Sequence, residues 1–266
     1  MPSDKQFWHR PNLVFFGATL LSSTPFWLLG AVYDGLLLPG LPISALMVAC
    51  PALVALWLSF QESRAQGVKA LLSDMTTVKG IPFWSWAVAM GVPPISYLTA
   101  SLIQLFGGES FAEVSWGIGE AIVVVALLFS ASLLEETGWT GFALRRIHSA
   151  SNTFFVGTVV GGLTAVWHIP PLLIVGRSWD WIFWWCLGTI IGRCFIVWLY
   201  KSSGQLAFPA VVFHMMGNIS WIFLPVYGAR YDPMLVTLSS SGIFALVILT
   251  HRAAKADASR IGSEQR

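Results

Sequence analysis

Apolar residues in this chain gather into long runs, each closed by a short cluster of charged, glycine or proline residues. Runs of about 20 such residues are the length an α-helix needs to cross hydrocarbon, where every backbone amide has to be satisfied within its own segment. Eight runs fit, near 12–33, 41–60, 82–106, 116–147, 153–175, 180–200, 205–225 and 232–251. The pattern predicts an all-α polytopic membrane protein, a bundle of about eight transmembrane helices in one membrane-embedded domain over residues 1–266. The fourth run is long enough to tilt or to project from the bilayer. The first holds Pro25 and meets Asp34 with no A-x-A cleavage site, so it reads as a retained helix. The polar tail at 252–266 is expected to fray.

Composition agrees and narrows the function classes. The chain has 266 residues, 56% hydrophobic and 11% charged, which excludes disorder. Its 3 cysteines are too few to frame a disulfide scaffold, and a net charge of +2 leaves no basic stripe for nucleic acid. With both termini placed in the cytoplasm, twelve cations from Lys5 and Arg10 through Arg145, Arg146 and Lys201 to Arg266 fall inside, and only Arg177 and Arg230 fall outside. The opposite face then carries Asp34, Glu109, Glu113, Asp180 and Asp232. The expected location is a plasma membrane of bacterial type, with membrane lipids as the surroundings.

Sorting the charges leaves Glu120, Glu135, Glu136 and Arg193 inside the predicted spans, together with His168 and His214. A charge near the bilayer centre costs about 2.5–3.5 kcal/mol even on the lenient insertion scale, so such residues are functional candidates by default. Glu120 lies near the outer face and reads as interfacial. Glu135 and Glu136 lie deep in the fourth span, and neighbours on a helix point about 100° apart. One of them can therefore face a central cavity while the other braces a neighbouring helix. His168 precedes Ile169-Pro170-Pro171, a proline pair that frees backbone carbonyls, and His214 and Asn218 share one helical face, offering two donors toward one cavity. Arg193 needs an anionic partner, and by depth the nearest is the Glu135/Glu136 pair. The structural alternatives are an ion pair for the glutamates, a carbonyl-bonded core His168, and a His214/Asn218 bond that glues two helices.

Taken together, Glu135-Glu136-Thr137-Gly138-Trp139-Thr140-Gly141-Phe142, then Trp167-His168-Ile169-Pro170, then His214-x-x-x-Asn218, resemble in order and spacing the three motifs of the CPBP family. That family holds type II CAAX prenyl endopeptidases, Abi-type proteins and bacteriocin-processing or immunity proteins. The motif-bearing core spans about 116–225. The resemblance implies an eight-helix bundle around a conical cavity, and an intramembrane endopeptidase acting on a membrane-associated or lipidated peptide. It implies that Glu135 with His168 activates water, that His214 and Asn218 form the oxyanion hole, and that Glu136 supports Glu135. In two places the chain departs from the motifs. Thr140 stands where the first carries Arg, which removes the usual counter-charge to the glutamates, and Thr164 stands where the second carries Phe.

No H-E-x-x-H occurs, so a zincin-style site is absent. Glu135, His168 and His214 are the set that would hold zinc or another divalent metal, an open alternative to metal-free water activation. Serine chemistry is disfavoured, since neither 202–204 nor 239–242 makes a G-x-S-x-G elbow. Two other readings compete with the endopeptidase. One is a non-catalytic immunity or scaffold protein of the same fold, favoured by Thr140 and Thr164. The other is a proton-coupled transporter, which would show inverted internal symmetry that the hydropathy order lacks.

Overall fold

The computed structural model describes residues 10–33, 35–38, 41–109, 117–147, 152–224 and 231–264. Of the charges that orient the chain, Lys5, Asp34, Glu113, Arg230 and Arg266 lie outside these residues.

Eight long helical segments follow one another, as the apolar runs require: α1 (Arg10–Val32), α2 (Ala49–Thr76), α3 (Phe83–Phe106), α4 (Ile118–Ile147), α5 (Thr153–Ile174), α6 (Trp179–Ser202), α7 (Phe208–Phe223) and α8 (Pro233–Glu264). A 3-10 turn over Ile43–Val48 leads into α2. The described residues add one small antiparallel pair, β1 (Leu36–Leu38) with β2 (Leu41–Pro42). Seven helices among the described residues are long and apolar enough to cross a membrane, and α7, at 16 residues, is shorter. The protein is a polytopic all-α membrane protein.

Three local features depart from the expectation. The second run, expected at 41–60, continues as helix to Thr76 through a kink at Ser63 and Arg64, where Arg64 takes φ 53°. Residues past the kink present Leu71 and Met75 one turn apart, and both are buried against α4. The fourth run is not a uniform α-helix. Thr137–Leu144 is wound as a π-helix, all eight residues buried. Gly138 and Gly141 leave room beside it, because a Cβ at 138 would meet Pro51 Cβ at 2.5 Å and one at 141 would meet Met75 Sδ at 2.6 Å. α2 therefore closes directly onto the π backbone. The third is the C-terminal tail, which is helical as far as Glu264 and continues α8, consistent with the helix-favouring alanines at 253, 254, 256 and 258.

α5 and α6 approach closely through small residues on α5. A Cβ added at Gly157 would meet Cys194 Cα at 2.4 Å, and one at Gly161 would meet Ile190 Cα at 2.8 Å. This is the small-x-x-x-small contact that substitutes for a hydrophobic drive inside lipid. Two separate aromatic cores form. Phe15, Trp139, Phe142 and Trp167 pack in one, and Phe195, Phe213 and Phe244 in the other. The three cysteines are free.

Candidate active site

The two adjacent glutamates have different surroundings. Both are buried, at 4% exposure for Glu135 and 0% for Glu136. Glu136 is fully engaged. Its Oε2 accepts from Arg193 on α6 at 2.7 Å and from the Thr140 hydroxyl at 2.5 Å, and its Oε1 lies 2.8 Å from Nδ1 of His214 on α7. A carboxylate in a salt bridge only accepts, so the His214 Nδ1–H donates and Nε2 is the nitrogen left to other partners. By contrast, Glu135 Oε2 is buried with no hydrogen-bond partner. Of the expected division, the bracing role falls to Glu136, and Glu135 is the carboxylate with an unpartnered oxygen.

α4 and α7 meet in two polar rungs. Glu136 pairs with His214, and one turn away Asn218 Nδ2 donates to the Ser132 hydroxyl at 3.1 Å. Because 132 and 136 are four apart, as are 214 and 218, both rungs fall on facing stripes of two antiparallel helices. Sequence reasoning missed Ser132. The signal was available, since a polar residue one turn before Glu136 matches the His214/Asn218 spacing.

His168 is set by α5. Its Nδ1 lies 2.9 Å from the Thr164 carbonyl, which can only accept, so Nε2 is again the nitrogen left over. The ring contacts Trp167 edge-on at 4.5 Å between centroids and Trp185 of α6 at 4.9 Å. α5 stays helical through Pro170 and Pro171. Glu135 forms no direct hydrogen bond with His168 or His214 among the described residues. Thr164, where the motif carries Phe, returns its hydroxyl to Val160 and serves His168 only through its carbonyl.

Arg193 therefore meets the anionic partner its depth called for, and Thr140 donates to the same oxygen. Other charges on or near α4 stay outside the centre. Arg145 pairs with Asp74, Arg146 with Glu62, and Glu120 accepts from the Gly117 amide at the helix start. A cavity of about 320 Å³, lined in part by Asp74, Arg145 and Tyr200, reaches Thr140 one turn from Glu136. Among the described residues no three His, Cys, Asp or Glu side chains are grouped to hold a metal ion. Glu135, His168 and His214 are thus not gathered as a ligand set.

Comparison with known proteins points the same way as the motifs. Residues 117–220 match the family model described as Rce1-like, type II CAAX prenyl endopeptidase. A curated relative, CAAX prenyl protease 2 of Methanococcus maripaludis, is 22% identical over 242 residues, covering 82% of this chain and 86% of the relative. The resemblance read from three short motifs is thereby borne out, and the matched region contains all five residues that carry it.

Proposed function

We propose that this protein is an intramembrane endopeptidase that hydrolyses a peptide bond in a membrane-associated or prenylated peptide, with Glu135 as the base. The observation that carries this reading is the free, buried Oε2 of Glu135 beside a Glu136 whose two oxygens are both taken. A buried carboxylate oxygen without a hydrogen-bond partner calls for an explanation, such as a bound water. Here that water gives one hydrogen to Glu135 and the other to the His168 Nε2 lone pair. As its oxygen adds to the peptide carbonyl, its proton passes to Glu135 and then to the leaving nitrogen as the C–N bond breaks. The developing oxyanion accepts from the second amide hydrogen of Asn218 and from a protonated His214 Nε2.

The rival reading, a non-catalytic scaffold or immunity protein, rested on the two threonines. Thr140 still donates to Glu136, and Arg193 brings the cation that position 140 lacks. Both termini in the cytoplasm remains part of the proposal, which places the Arg145 end of α4 on the side from which a peptide would arrive. The test is reconstitution in lipid vesicles with prenylated and unmodified membrane peptides, read by mass spectrometry for parent and Glu135→Gln at matched levels. Cleavage by the parent that vanishes in Glu135→Gln supports the reading. Peptide binding with no cleavage by the parent would turn it into the scaffold alternative.

A further inference from the structure

We infer that Arg193 is a positioning residue of this reaction, acting on the substrate only through Glu136 and His214. The inference rests on the endopeptidase reading above. Its physical basis is how the Glu136 carboxylate is held. Arg193 and Thr140 both donate to Oε2, from α6 and from one turn along α4, so rotation of the carboxylate is fixed from two directions. That in turn fixes Oε1, the atom which receives the His214 Nδ1–H.

Exposure separates the parts. Arg193 is 4% exposed and Glu136 and Thr140 are 0%, whereas the His214 side chain reaches 20%. Of these four, only His214 is placed to meet a ligand, so the guanidinium works behind it. The stem of Arg193 is itself held. Gly161 of α5 sits so close that a Cβ there would meet Arg193 Cβ at 3.0 Å. One ion pair thus couples three helices, with α6 supplying the charge, α4 the carboxylate and α7 the imidazole. Loss of the guanidinium would leave the carboxylate with Thr140 alone on Oε2, free to turn away from His214. This predicts a defect in turnover rather than in substrate capture.

The test uses the full chain in vesicles with a cleaved peptide, comparing parent, Arg193→Gln, Arg193→Lys, Thr140→Arg/Arg193→Gln and, as control, Glu135→Gln. Arg193→Gln is expected to lower kcat by about 10- to 100-fold with KM within about twofold, the range seen when the partner that orients a functional histidine is lost. Arg193→Lys is expected to recover much of the loss. So is the double variant, because the Thr140 hydroxyl already lies 2.5 Å from the oxygen that needs the charge. A folded Arg193→Gln protein turning over at the parental kcat overturns the inference. So do rescue variants that fold yet stay at the Arg193→Gln rate. If Arg193→Gln does not fold, the double variant decides. A kcat above about a tenth of the parent's upholds the inference and a lower one overturns it. A parent that cleaves nothing overturns the endopeptidase reading and this inference with it. Cleavage that stops in Glu135→Gln but continues at full rate in Arg193→Gln overturns only the role of Arg193.

Discussion

One helix, α4, carries two sets of ion pairs that differ in almost every respect. Near its middle, Glu136 meets Arg193 with 0% and 4% of the side chains exposed. At its end, Arg145 meets Asp74 at 49% and 41%, and Arg146 meets Glu62 at 27% and 40%. The end pairs have water to replace either partner, and Arg146 also lies 3.6 Å over the Phe142 ring and donates to its carbonyl. The middle pair has no water to replace a lost partner, and the Glu136 carboxylate then keeps only the Thr140 hydroxyl and His214. Similar chemistry therefore does different work. The end pairs pin α2, on both sides of its kink, to the end of α4, while the middle pair sets which atoms of the centre are spoken for and which are free.

The sharpest break in that comparison comes from the free carboxylate. Glu135→Gln is expected to lower turnover by about 100- to 10,000-fold, the range for a lost general base, with little change in thermal midpoint because Oε2 has no partner to lose. Next, Arg193→Gln is expected to cost up to about 3–5 kcal/mol in a detergent unfolding titration, because it leaves the buried Glu136 with His214 as its remaining charged partner. Asn218→Ala is expected to lower kcat by about 100- to 1,000-fold if its amide serves the oxyanion, with KM much less affected. A smaller effect is expected at the π segment. Gly141→Val would press on Met75 Sδ and cost about 1–3 kcal/mol of stability by overpacking. The smallest belongs to the exposed end. Arg145→Gln should change stability by at most about 1 kcal/mol, read in the same titration, and a loss as large as that of Arg193→Gln would erase the distinction between the two regions.

Helix positions were legible where the signal was the length of an apolar run. The starts and ends of α1, α3, α5 and α6 lie within about two residues of their expected places, because transfer of a side chain into lipid is a local energy. The second half of α2 escaped for the same reason. Residues 61–76 mix Glu62, Arg64, Lys69 and Asp74 with Leu71, Leu72 and Met75, so mean hydropathy falls although one face is apolar. The π winding of Thr137–Leu144 escaped too, since no apolar run marks it and the contacts of Pro51 and Met75 on Gly138 and Gly141 are distant in sequence.

The site divides along the same line. The sequence by itself determined that Glu135, Glu136, Arg193, His168 and His214 lie in spans where bare charge is costly, and that His214 and Asn218 share a face. Those conclusions need only helical periodicity and the low polarity of lipid. It also showed that Arg193 needs an anion of similar depth. Only the tertiary structure decided that Glu136 takes the guanidinium, the Thr140 hydroxyl and His214, leaving Glu135 with a bare oxygen. Two carboxylates one residue apart are chemically identical, and the 100° between them acquires meaning only when α5, α6 and α7 are packed around the helix that bears them.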